Sequence, residues 1–127
     1  MLVPDAGRLA ATYFEALGAK DFYALSSILA EDVTFDGPMG HAQGRDDYVQ
    51  QLEKLAEIID EVVVERVYLD GDDVLTWFAF HTNVAGVLGP IASWIHSDGH
   101  GHIDRVQVTF DPRPLLAAAP PPPPSGQ

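Results

Sequence analysis

The run Leu29-Ala30-Glu31-Asp32-Val33-Thr34-Phe35-Asp36-Gly37-Pro38 is where the chain changes period. Upstream, apolar residues recur at helical spacing. Within the run, Val33-Thr34-Phe35-Asp36 alternates as a short strand, and Gly37-Pro38 stops it. Working back, Leu9, Ala10, Tyr13, Phe14 and Leu17 stripe a helix over 5–18, with Asp5 as N-cap and Gly18 as C-cap. A second helix starts at Asp21 and carries Phe22, Leu25, Ile28 and Leu29. Working forward, 40–44 reads as a loop. Asp46 or Asp47 opens a third helix, striped by Tyr48, Val49, Leu52, Leu55, Ile58 and Ile59. The remainder reads as strands over 62–69, 74–84, 91–96 and 103–110. Asp70-Gly71-Asp72, the connection 86–90 and the turn 97–101 separate them. Helices first and a mostly antiparallel meander after define an α+β fold. With no alternating βα pattern, no G-x-G-x-x-G and no phosphate loop, a nucleotide-binding fold is not expected.

A chain of 127 residues favours one domain, large enough to bury a core without disulfides or a structural metal. That domain is expected over 1–116. The remainder, 117–127, is low in complexity and contains Pro120 to Pro124, which favour an extended, solvated end. Nineteen acidic residues face seven basic ones, for a net charge of −12. That balance argues against nucleic acid and against an anionic membrane surface as partners. Cysteine is absent, which excludes disulfides, thiolate metal sites and cysteine catalysis. Met1-Leu2-Val3-Pro4-Asp5 lacks a basic segment leading into an apolar run, and no stretch has the length of a membrane span. The default location is the cytoplasm.

Three segments resemble the nuclear transport factor 2-like superfamily. They are Tyr13-Phe-Glu-Ala-Leu-Gly-Ala-Lys-Asp21, Leu29-Ala-Glu-Asp-Val-Thr-Phe-Asp36 and Gly44-Arg-Asp-Asp-Tyr-Val49. The closing Ile103-Asp-Arg-Val-Gln-Val-Thr-Phe-Asp-Pro112 also fits, so the likeness covers about residues 5–115. The nearest branch is the SnoaL-like polyketide-cyclase group. The resemblance implies a cone: a strongly bent, mostly antiparallel sheet with three helices in the N-terminal half enclosing a pocket. It also implies a small apolar ligand and pairing of two copies through the outer sheet face, where Phe78, Phe80 and Trp94 would supply apolar surface. Relatives include ketosteroid isomerases, polyketide cyclases, epoxide hydrolases and plain binding modules, so fold alone does not give function.

The isomerase pattern is matched at Tyr13. Its base carboxylate would fall at Gly37, one residue after Asp36, and its oxyanion Asp near Ser93. Epoxide hydrolysis needs carboxylates, or a carboxylate pair bridged by Arg, that hold a water. Asp36, Asp104 and Arg105 are the candidates, but alternation sets Asp104 and Arg105 on opposite strand faces. On the long strand one face carries Leu75, Trp77, Ala79, His81 and Asn83; the other carries Val74, Thr76, Phe78, Phe80 and Thr82. The first mixes an aromatic, an imidazole and an amide, as pocket walls do, and the second reads as packing surface. The expected catalytic set is therefore Asp36 or His81 as base, with Tyr13 as donor. Trp77, Asn83, Ser93, Phe35 and Met39 are the expected substrate-binding residues. Tyr48 is a second candidate donor, and His41 is a candidate for the mouth. His96, His100 and His102 lie around a glycine-rich turn, where ligands converge poorly, so no metal site is expected. No cofactor is expected. The chain reads as a binder of a small apolar molecule. One outcome is cofactor-independent isomerase, cyclase or hydrolase chemistry; the other is a non-catalytic ligand-binding or dimerisation module.

Overall fold

Asp5 accepts a hydrogen bond from the Arg8 amide at 2.8 Å and starts α1 (Ala6–Ala19). The helix runs past Gly18; Lys20 takes the left-handed conformation, and its N–H and that of Asp21 close on the carbonyls of Leu17 and Ala16. Asp21 caps α2 (Phe22–Ile28) through the Ala24 amide at 3.0 Å. The computed structural model describes residues 4–118. Leu29 opens β1 (Leu29–Gly37) instead of closing α2. The expected loop after Pro38 is a strand, β2 (Gly40–Gln43), paired antiparallel with β1. Gly44 precedes α3 (Arg45–Ala56), whose first turn holds Asp46 and Asp47 against the positive end of the helix.

Four longer strands follow: β3 (Ile59–Asp70), β4 (Asp73–Thr82), β5 (Gly86–Ser97) and β6 (Ile103–Thr109). The expected connection at 86–90 is thus part of β5. A short helix, α4 (Arg113–Ala118), takes in Ala117 and Ala118; the rest of the expected tail lies outside the described residues. The six strands form one open, curved sheet in the order β2-β1-β6-β5-β4-β3. Every neighbouring pair is antiparallel except β1 and β6, which are parallel. This is the expected α+β cone, with an extra strand and a short C-terminal helix.

The helices cover one sheet face. Leu9 and Leu17 of α1, Leu25 of α2 and Tyr48 of α3 are buried against Val33, Val74, Ile91, Ile95, Ile103 and Val106 of the sheet. Burial at this density accounts for most of the fold's stabilisation. Two irregularities shape the sheet. One lies between Phe78 and Phe80 on β4; the other lies between Val64 and Arg66 on β3, where Glu65 is the extra residue. Strand β3 is one edge of the sheet. Among the described residues no helix is long and apolar enough to cross a membrane.

Candidate functional site

Helices α1 and α3 stand off the concave face and leave a cavity of about 170 Å³. The helical spacing Tyr48, Gln51, Leu52, Leu55 sets one face of α3 into it, and Tyr13, Phe14 and Leu17 supply the α1 wall. Phe78 and Phe80 of β4 and Leu88, Ile91 and Ser93 of β5 form the floor. The mouth is the β1–β2 turn, where Met39 is 53% exposed. Phe35 reaches in from β1 and stacks on Tyr48, with centroids 4.9 Å apart and planes 16° from parallel.

Polar groups are few and specific. The Tyr13 and Tyr48 hydroxyls are hydrogen-bonded at 2.5 Å. One phenol donates to the other, so the accepting phenol keeps its own proton free for a third group. The Gln51 amide donates to the His41 carbonyl at 2.9 Å, so His41 serves the mouth through its backbone. Ser93 is 2% exposed, and no group among the described residues bonds its hydroxyl. Among the described residues, no carboxylate or imidazole lines this cavity.

Burial pushes the Tyr13 phenol up from 10.0 to about 12, opposed by a smaller lowering from its bond to Tyr48. Burial also raises Tyr48 well above its ordinary value, and the charge and hydrogen bond of Tyr13 add to that. Both therefore remain neutral donors at physiological pH. Above pH 10 the unfolded chain loses a Tyr13 proton that the folded chain keeps. This contribution to stability is full below pH 10 and is lost as the pH rises through about 12. It amounts to about 3 kcal/mol for Tyr13. In an absorbance titration at phenolate wavelengths, the two buried tyrosines should stay silent until unfolding or pH near 12. Full phenolate absorbance by pH 11 in the folded protein would contradict the burial.

The long strand turns the other way from the sequence expectation. Phe78 and Phe80 point into the cavity, whereas Trp77 is 43% exposed on the outer face with Leu75 and His81. Both faces of β4 are apolar, and the helices cover the one bearing the two phenylalanines. His81 Nδ1 lies 3.2 Å from a Glu61 carboxylate oxygen, outside the cavity. Asn83 donates to the Glu57 carbonyl at 3.0 Å and ties the end of α3 to β4. Asp36 follows the inward Phe35 and so projects outward, into an open groove with Leu75, Trp94 and Gln107. The candidate bases Asp36 and His81 are thus not brought to Tyr13, and Trp77 and Asn83 are not in the binding wall. Tyr13, Phe35, Met39 and Ser93 do line one cavity.

The place of the isomerase base is sterically closed as well. A Cβ on Gly37 would lie 2.9 Å from Phe35 Cζ, and the ring would have to leave its stack on Tyr48. Asp104 and Arg105 are not split across the sheet. Asp104 is the extra residue of a bulge and bonds His96 Nδ1 at 2.6 Å, while Arg105 sits 4.5 Å over the Trp94 ring. Neither lines the cavity. His102 faces Asp98 at 3.9 Å, so the turn histidines go to separate partners. Sequence reasoning missed Gln51 and the pairing of Tyr48 with Tyr13. The signal for both was a polar residue within the apolar stripe of α3.

The order of elements, the open curved sheet and the walled cavity define an α+β cone of the nuclear transport factor 2-like kind. The SnoaL-like domain family matches residues 10–111, and the chain belongs to that family. Among solved structures, an NTF2-like protein of unknown function from Cytophaga hutchinsonii is 29% identical, with a TM-score of 0.78. The match covers 91% of this chain and 97% of that one. An LEH-like epoxide hydrolase of M. tuberculosis is 20% identical, with a TM-score of 0.73, over 89% of this chain and 87% of that one. A de novo designed protein with a curved β-sheet is 18% identical, with a TM-score of 0.78, over 93% of this chain and 94% of that one. These last two likenesses are of fold alone. No curated protein matches the chain.

Proposed function

We propose that the chain binds a small apolar molecule with one carbonyl or hydroxyl oxygen and does not turn it over. The observation that carries this reading is the composition of the cavity: an apolar shell holding the free phenol proton of the tyrosine pair and the unpartnered Ser93 hydroxyl, with no base beside them. Acid–base chemistry without a cofactor needs a base within hydrogen-bond reach of the substrate, and Asp36 and His81 lie outside. The size of the cavity narrows the ligand. A space of about 170 Å³ suits one ring with short substituents, since a cavity of about 150 Å³ is enough for benzene.

The test is a thermal-shift and calorimetry panel of aryl ketones, phenols, epoxides and short fatty acids. A ligand at 100 times its Kd should add about 2.7 kcal/mol of stability. Tyr13→Phe and Ser93→Ala should each weaken that ligand about tenfold, the loss of one hydrogen bond. His81→Ala and Asp36→Ala should bind it as wild type does. Turnover that disappears in either of those last two variants would overturn the reading in favour of an enzyme.

A second reading concerns assembly, and the outer sheet face favours it. Leu75 is 51% exposed, and Trp94, its neighbour across the strands, is 37% exposed. Trp94 is held flat by Asp73, which accepts its indole N–H at 2.7 Å, and by Arg105 above the ring. Such an apolar row suits a second copy of the chain. Light scattering should give twice the monomer mass, and Trp77→Glu should halve it; a wild-type monomer at high concentration rules the reading out.

A further inference from the structure

We propose that the cleft between α1 and β3 is a second binding site, for a small apolar molecule carrying a protonated amine, with Thr76 at its floor and Glu15 at its rim. The cleft has a volume of about 350 Å³ and is separate from the first cavity, though Phe14 lines both. Gly7, Ala10 and Ala11 leave the helix wall low. Opposite them Val62, Val64 and Val67 of β3 are only partly covered, with Val67 50% exposed. An edge strand whose helix-facing valines remain in water has unused apolar surface.

The second observation is polar. Thr76 is 2% exposed, and no group among the described residues bonds its hydroxyl. Its partner across the strands is Ser93, whose hydroxyl is likewise unpartnered. Hydroxyls placed opposite each other in this way ordinarily bond. Here Ser93 lines the first cavity and Thr76 lines the cleft, and each is left to a group that enters its own space. A buried hydroxyl without a partner is costly, which makes it a strong anchor for a ligand that supplies one.

The chemistry of the occupant follows from the two polar groups. Glu15 as a carboxylate only accepts hydrogen bonds, and the Thr76 hydroxyl can accept. An ammonium donates to both, and its hydrocarbon body meets valine and alanine. The net charge of −12 raises the local concentration of cations further.

Cyclohexylamine hydrochloride is the probe, followed by amide chemical shifts of the labelled full chain. Shifts should concentrate at Ala11, Glu15, Val67 and Thr76, not at Met39 and Tyr48 of the first cavity. Thr76→Val should weaken binding at least tenfold while leaving the melting temperature equal or higher, because it removes an unpartnered hydroxyl at constant shape. Thr76→Ser should restore binding, and Glu15→Gln should weaken it about fivefold. Shifts confined to the first cavity, unchanged binding in Thr76→Val, or a lower melting temperature in that variant would each overturn the site. Equal binding of cyclohexanol would overturn its preference for an amine. A null result in the ligand panel for the first cavity leaves these outcomes untouched.

Discussion

Tyr48→Ala is expected to destabilise the fold by about 3–5 kcal/mol, the range for deleting a buried aromatic ring. The ring is 1% exposed, stacks on Phe35 and carries the hydroxyl that satisfies Tyr13. The contributions can be separated. Tyr48→Phe keeps the ring and leaves one buried phenol without its partner, so about 1–3 kcal/mol should be lost. Adding Tyr13→Phe removes the stranded group, and the double variant should regain most of that loss. Urea denaturation of the four proteins in this cycle provides the check. Additive losses in the double variant would mean that the two hydroxyls do not depend on each other.

Gly89→Val is the second large effect. A Cβ at Gly89 would lie 2.8 Å from the Ala79 Cβ and 3.2 Å from the Ala79 Cα. That contact falls at the bulge between Phe78 and Phe80, where β5 approaches β4 most closely. A branched side chain must push the strands apart, at a cost of about 3 kcal/mol. The same displacement moves Phe78, Phe80 and Leu88, which floor the cavity, so binding should fall together with stability. Denaturation midpoints and calorimetry on one variant measure both. A wild-type midpoint would show that the strands are not in contact at this point.

Much of the fold is legible in the residues because its signals are local. Asp5 and Asp21 announce helix starts by their capping chemistry, and the period change at Val33 announces β1. Strand β2 is hidden because Gly40-His41-Ala42-Gln43 has no alternation of its own; its pairing with β1 makes it a strand. The parallel contact of β1 with β6 joins residues about seventy positions apart, beyond the reach of any local pattern. The site is legible in part for a different reason. Tyr13, Phe35, Met39 and Ser93 lie on elements that turn a single side to the helices. On β4 both faces are apolar, so alternation gives two answers and only the position of α1 selects Phe78 over Trp77. The misplacement of His81 follows directly from that ambiguity.

The bulge in β3 has a consequence for life in a crowded solution. A twelve-residue border strand with free backbone donors and acceptors invites a stranger's strand to add on, and repetition of that step builds fibres. At Glu65 the ladder breaks register, and Asp60, Glu61 and Arg66 set charge along the same border. An incoming copy would meet a kinked rim and its own excess of negative charge. The irregularity therefore acts as a guard, letting the chain keep a long uncovered rim without seeding its own aggregation.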